Sequence, residues 1–372
     1  MRIARPSPPT PRPIAAGGDP YGTHRVVEPA GSLPQPAWRV DNDFARLFEG
    51  EMLVAADTLN VDAASFAQIE GEARGSTRSA DDIDDAARIE REIAHIVLRT
   101  VAERGKQHNP VTGSGGMLLG RVLQRAPGRP DEAVAVGDRV ATLVSLSLTP
   151  LRLDRVVAVR RASAQLDVEG EAVLFASGTY ARVPEDIPQR VALAALDVAG
   201  AAPQVARLVR SGHVVVVLGG GGKSGLLCVA EARRRTGPSG RVIAVEPHAR
   251  AADDLRALGW CDSVLPVDAR DAVGVRRAVL GATGGREADA SFSCVSVPDA
   301  EMAAVLCTRP RGTVYFFAMT TSFSKAALGA EGVGKDVDLF IGNGYADGHA
   351  DHTLAMLRDM PSLRAVFERR YG

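Results

Sequence analysis

The chain has 372 residues, more than one small core needs and a length that suits two domains. Hydrophobic residues make up 45% and charged residues 24%, a globular composition that excludes a largely disordered chain. A net charge of −1 argues against a nucleic-acid or anionic-membrane partner, and no run approaches the roughly 20 apolar residues that span a bilayer.

The first segment, "MRIARPSPPTPRPIAAGG", lacks the apolar core of a signal peptide, and its prolines predict a disordered arm over residues 1–18. From 19 to 190 the pattern is β-rich. "MLVAADTLNVD" (52–62), "GGMLLGRVLQRA" and "VGDRVATLVSLSL" (136–148) are apolar, β-branched runs divided by Gly, Pro and Asp. One helix interrupts them over 79–105. Ala86, Ile89, Ile93, Ile96 and Val97 keep its three-to-four spacing, Arg104 complements the dipole and Gly105 stops it.

After about residue 190 strands alternate with helices. "HVVVVL" (213–218), "RVIAVE" (241–246), "SVLPV" (263–267), "ADASFSCV" (288–295) and "GTVYFF" (312–317) are strands, and "VDLFIGN" (337–343) offers an edge strand. "KSGLLCVAEARRRTG" and "HARAADDLRALG" are intervening helices. The alternation implies right-handed crossovers and a doubly wound parallel sheet, so residues 191–343 are expected to form a Rossmann domain. The helical tail, "HTLAMLRDMPSLRAVFERRY", is assigned with 344–372 to the β-rich domain. The fold class is α/β.

"VVVVLGGGGKSGLL" (214–227) is built to hold phosphate. A triphosphate loop needs glycine five residues before its Gly-Lys-Ser, but that position is Val217, inside the strand. The dinucleotide pattern fits instead: Gly220-x-Gly222-x-x-Gly225 follows a strand and opens a helix. Glu246 ends the next strand, where an acid accepts from both hydroxyls of an adenine ribose and repels a 2′-phosphate. The expected cofactor is NAD, with Lys223 and Ser224 at the pyrophosphate. His248 and Arg250 follow closely and would suit a phosphate. The bland reading is a tight turn with no ligand.

Cys228, Cys261, Cys294 and Cys307 are widely spaced, which fits a reduced, cytoplasmic protein and provides no zinc-ribbon spacing. His349-x-x-His352 shares a helix face but has no evident third ligand, so no metal is expected. Arginine outnumbers lysine 40 to 4, which makes Lys106, Lys223, Lys325 and Lys335 a short list of candidates.

A β-rich half followed by a Rossmann half resembles the medium-chain dehydrogenases, whose β-rich domain is GroES-like. "LNVDAASF" resembles the strand-turn that delivers a site residue in that superfamily. "NPVTGSGGMLLGRV" resembles its Pro-x-x-Gly-His-Glu turn, and "VGDRV" a barrel strand. Val61 or Asp62 stands where a cysteine zinc ligand would be, Gly113-Ser114-Gly115 replaces Gly-His-Glu, and no cysteine precedes Cys228. Zinc of the usual kind is not expected.

Longer strings, among them "GTHRVVEP", "LPQPAWRVDND", "ERGKQHNPVTGSGGMLLG" and "GTVYFFAMTTSFSKAALGAEGVGKDVDLFIGNGY", resemble the L-erythro-3,5-diaminohexanoate dehydrogenase family of lysine fermentation. Two departures are Asp19 in place of a cysteine and an all-glycine dinucleotide loop. The resemblance implies a small diamino acid substrate that loses its 3-amino group as ammonia while NAD takes a hydride.

Such chemistry needs a base, carboxylates facing a second ammonium and a cation or amide for the substrate carboxylate. Asp62 is favoured as the amine-facing acid or base, with a helix cap as its plain alternative. Glu70 is a second acid on the same face if the segment is helical. His24 is a candidate imidazole, with an ordinary surface or hydrogen-bonded histidine as its plain alternative, and Lys106, with His108 and Asn109, is a candidate to bind carboxylate or tune a base. Asp197, Lys325, Glu331 and Lys335 are further candidates, with Asn343 and Tyr345 weaker. The rivals are a zinc-free NADPH-dependent quinone or enoyl reductase and a non-catalytic NAD-binding protein. The resemblance also implies a homodimer.

Overall fold

The computed structural model describes residues 10–75, 86–109, 113, 115–130, 134–318, 320–342 and 344–372. The chain divides into two compact units, 1–189 and 190–372.

In unit 1, β1 (Ile14–Ala15), β2 (Val26–Glu28), β3 (Arg39–Val40) and β4 (Leu47–Phe48) are short. They precede the long β5 (Met52–Asn60). Two helices follow, α1 (Ala63–Gly75) and α2 (Ala86–Arg104). After them come β6 (Met117–Arg125), β7 (Arg139–Thr142), β8 (Leu151–Arg160), β9 (Gln165–Leu174) and β10 (Tyr180–Arg182). The main sheet is antiparallel in the order β10-β7-β6-β5-β9-β8. Met52, Val54, Leu59, Leu118 and Leu166 bury one face of it. Ile89, Ile93, Ile96, Val97 and Val101 form the buried stripe of α2, which packs on α1 and β8. Burying each such side chain contributes about 1.5–3 kcal/mol.

The expected helix is thus present from Ala86, and 79–85 lie outside the described residues. It ends where predicted, because Gly105 takes φ +70° and any Cβ there would collide with the Val40 carbonyl.

Part of the arm expected to be disordered is ordered. From Arg12 onward it lies on the sheet. Ile14 and Ala15 pair in parallel with Leu47 and Phe48, and Arg12 makes an ion pair with Glu171 (2.6 Å). Proline richness leaves the backbone extended, and extended backbone can add a strand.

Unit 2 begins with α3 (Gln189–Leu196) and α4 (Ala201–Leu208). It continues through β11 (Val214–Leu218), α5 (Lys223–Thr236), β12 (Arg241–Val245), α6 (Ala249–Leu258) and β13 (Ser263–Leu265). Then come α7 (Ala272–Thr283), β14 (Ala288–Ser293), α8 (Glu301–Cys307), β15 (Thr308–Phe316), α9 (Phe323–Gly332) and β16 (Asp338–Ile341). The sheet is parallel in the order β13-β12-β11-β14-β15-β16, the doubly wound order of dinucleotide-binding domains. Val214, Val216, Leu218, Ile243 and Phe316 centre its core.

The tail, α10 (His349–Asp359) and α11 (Pro361–Tyr371), packs in unit 2 and not in the β-rich unit to which the sequence assigns 344–372. Thr353 Oγ1 donates to Ala199 O (3.0 Å), and Arg370 holds Asp254 of α6. The tail's buried Leu354, Leu357, Leu363 and Phe367 need an apolar surface, and the helices of unit 2 provide it. No single helix among the described residues is long and apolar enough to cross a membrane.

Candidate active site

The glycine loop joins β11 to α5 as its spacing predicts. Gly222 caps α5 and, having no side chain, makes no side-chain hydrogen bond to its first turn. Such an end attracts phosphate. Gly225 is required, since a Cβ there would strike the Gly219 carbonyl. Glu246 is buried beside the loop. Its Oε2 accepts from Gly221 N–H (3.0 Å), and its Oε1 accepts from His248 N–H (3.0 Å) and lies 2.9 Å from His248 Nδ1. One acceptor position on Oε2 stays open for a hydroxyl.

Gly221 is held from its other side, where its carbonyl accepts from Arg370 Nη1 (2.6 Å). The same guanidinium donates to Asp254 Oδ2 through Nη2 (2.5 Å) and Nε (3.0 Å). The C-terminal helix therefore holds the carbonyl of the residue whose N–H holds Glu246. Lys223 departs from expectation in one respect: its ammonium pairs with Asp197 Oδ2 (2.5 Å) and lies near the Tyr371 ring. The glycine-capped helix end and the buried Glu246 fit a dinucleotide.

In unit 1, Asp62 precedes α1 and caps it. Ser65 N–H donates to Oδ1 (2.9 Å), and Ser65 Oγ–H donates to Oδ2 (2.5 Å). Ser65 also lines a cavity of about 190 Å³ between α1 and α2, together with Glu72, Arg104, Gln107, His108 and Asn109. Arg104 stacks on Trp38 at 3.6 Å and donates from Nη1 to His108 Nδ1 (3.1 Å). Because arginine only donates, Nδ1 must accept, and the proton of this imidazole sits on Nε2. Burial, then the charges of Lys106 and Arg104, push the His108 pKa down to about 4, so the ring is neutral near pH 7.

Three other candidates are placed elsewhere. The ring of His24 is fully engaged: Nδ1 accepts from Asp19 N–H (2.9 Å), and Nε2–H donates to Glu51 Oε1 (2.9 Å). Glu51 also takes Arg25 Nε (2.6 Å) and Nη2 (2.8 Å). Burial pushes the Glu51 carboxyl up, but hydrogen bonds from Arg25 and His24 outweigh it and hold the pKa below its usual value. Glu70 faces outward on α1 and pairs with Arg161 and Arg74, with the Arg161 bond first in lowering its pKa.

Lys106 is wholly buried, and Nζ donates to Pro34 O (2.5 Å) and Gln35 O (3.0 Å). Burial, then Arg104, pushes its pKa down to about 8. It pins the segment that delivers Trp38 to Arg104, so it supports the cavity without lining it.

Lys325 pairs with Asp299, Lys335 with Glu287 (2.8 Å), and Asn343 lies outside the described residues. His349 turns to the Tyr345 ring and His352 towards Glu231. Among the described residues no three His, Cys, Asp or Glu side chains converge on one point. Sequence reading did not single out Ser65, Gln107 or Arg370. Only the spacing of Ser65 after Asp62, typical of a capped helix start, signals one of them.

A glycine-loop Rossmann unit and a six-stranded antiparallel β-rich unit on one chain make up the fold of the medium-chain dehydrogenases. Solved structures agree on the fold. A mycobacterial quinone oxidoreductase matches with TM-score 0.52 at 20% identity, over 87% of this chain and 82% of its own. An alcohol dehydrogenase from Thermotoga maritima matches with TM-score 0.52 at 16% identity, over 85% and 83%.

The chain belongs to the L-erythro-3,5-diaminohexanoate dehydrogenase family. Residues 24–184 match the family model for the L-erythro-3,5-diaminohexanoate dehydrogenase N-terminal domain. The relative bearing that name in Acetoanaerobium sticklandii is 48% identical over 94% of this chain and 98% of its own length. The one in Fusobacterium nucleatum is 47% identical over the same shares.

Proposed function

We propose that the protein is an NAD-dependent enzyme of lysine degradation that oxidatively deaminates L-erythro-3,5-diaminohexanoate. The products are 5-amino-3-oxohexanoate and ammonia. The reading rests above all on the 48% identity that extends over 94% of the chain, so that both units share one ancestry with an enzyme of that name. The rival reductase reading draws on structures at 20% identity or below, which share the fold alone.

Bound NAD supplies the acceptor for the hydride leaving C3. The N-terminal end of α5 would hold its pyrophosphate, and Glu246 would accept from its ribose. Asp62 presents a carboxylate whose two oxygens are oriented by Ser65. It accepts from the 3-ammonium and takes its proton, because only the free amine can expel hydride. The imine left on C3 adds water, and ammonia departs from the resulting carbinolamine. Glu70 and His24 act in the fold, Glu70 by ion pairs on α1 and His24 in a buried cluster.

The enzyme is further proposed to be a cytoplasmic homodimer. All four cysteines are free thiols, and the edge strand β16 exposes Phe340 and Ile341. Light scattering at micromolar protein tests the dimer. NAD reduction, followed by the absorbance of the reduced nicotinamide, tests the reaction, with lysine and β-lysine as controls. Reduction with the 3,5-diamine alone is expected. Equal rates with the controls, or none with the diamine, would overturn the assignment.

A further inference from the structure

The cavity between α1 and α2 contains two polar groups that the fold leaves incomplete. Gln107 is 2% exposed, yet its Oε1 has no hydrogen-bond partner among the described residues. A buried acceptor without a donor costs free energy in the folded state and marks a place where a donor is meant to arrive. Arg104 is the second group. Trp38 holds its plane and His108 takes one N–H; Glu103, which also lines the cavity, acts on it only through space, with no ion pair to it among the described residues. By contrast, Arg99 on the same wall is already neutralised by Glu72 (2.8 Å). A fixed guanidinium with a free edge and an orphan amide oxygen together describe the complement of a zwitterion.

We propose that this cavity is the zwitterion subsite of the enzyme, in which Arg104 takes the substrate carboxylate and Gln107 Oε1 accepts from an ammonium. The inference rests on the diamino acid reading above and deepens it. At about 190 Å³ the cavity is smaller than the roughly 300–1,000 Å³ of drug-sized sites and suits a small amino acid. Ser65 connects the two parts of the site, because it lines the cavity and orients Asp62. His108 supports the arrangement in its neutral form: its Nδ1 accepts from Arg104, and a protonated ring would repel that guanidinium. Lys106 acts one step further out by holding the segment before Trp38.

Trp38 provides a direct readout, since it is stacked on Arg104 and Trp260 is the other tryptophan in the sequence. In a Trp260→Phe background without cofactor, titration with 3,5-diaminohexanoate is expected to change Trp38 fluorescence saturably. Gln107→Leu is expected to weaken that binding about tenfold or more while melting no lower than the parent, because it removes an unsatisfied buried group. Arg104→Met is expected to raise KM for the diamino acid about tenfold or more and to leave KM for its C1 carboxamide nearly unchanged.

Equal losses on acid and amide, or parental affinity in Gln107→Leu, would overturn the subsite. Saturable binding at Trp38 without NAD reduction would sink the proposed reaction and leave the subsite standing. Turnover at parental KM in both variants would do the reverse.

Discussion

The His24–Arg25–Glu51 cluster and the α1–α2 cavity are both polar and both belong to unit 1, but the first is buried and the second opens to solvent past Gln68, Glu72 and Glu103. In the first, all five N–H groups of Arg25 have acceptors: two on Glu51, one on Asp41 and two on the carbonyls of Asp43 and Arg46. Glu51 completes the set with His24 and the Phe48 N–H. In the second, Gln107 Oε1 has no donor and Arg104 has no ion pair among the described residues. Low dielectric makes a complete polar network rigid and an incomplete one costly. The complete cluster therefore maintains the fold, and the incomplete one is where a ligand belongs.

Substitutions that move stability apart from activity can break this contrast. Glu51→Gln leaves the buried Arg25 charge with only the partly exposed Asp41, at 3.2 Å, as counter-ion. It is expected to lower unfolding free energy by about 3–5 kcal/mol, read by urea titration, with little change in the turnover of folded enzyme. Asp62→Asn is the converse. Asparagine caps a helix as well as aspartate, so the melting temperature should hold, while turnover falls roughly 10²–10⁴-fold for want of a base. Parental turnover in Asp62→Asn would remove Asp62 from the chemistry.

Arg370→Met releases the Gly221 carbonyl and loosens Glu246 behind it. NAD dissociation measured by calorimetry is expected to weaken about three- to tenfold, with the melting temperature of the apoprotein only slightly lower.

His108 sharpens the contrast through pH. Its folded pKa of about 4 lies below the unfolded value of about 6.5. Between those values the unfolded chain binds a proton that the folded chain does not, so stability falls as pH drops from 6.5 to 4. His108→Gln is expected to flatten that part of the stability curve. Glu70→Gln is the smallest effect. A partly exposed surface pair contributes about 1 kcal/mol or less, and turnover should stay near parental.

The dinucleotide loop was legible in the sequence because its requirements are local. Glycine spacing, the strand before it and Glu246 at the end of the next strand leave few other structures possible. The incomplete cavity was not legible. Lys106 and Gln107 are adjacent, yet one side chain turns to the 34–35 carbonyls and the other to the cavity, a division decided by where the 33–38 segment packs. His24 reads as a site residue because the sequence does not reveal that Glu51 and the Asp19 N–H use both its nitrogens. The tail misled for a related reason: amphipathic helices announce that they need a surface but not which one, and contacts such as Arg370 with Gly221 span 149 positions.

Ammonia release measured against NAD reduction, with L-erythro-3,5-diaminohexanoate as substrate, tests the assignment most directly. Oxidation at an amine-bearing carbon predicts equimolar ammonia and reduced nicotinamide from the first turnovers. Reduction without ammonia, or no reduction at all, would contradict it.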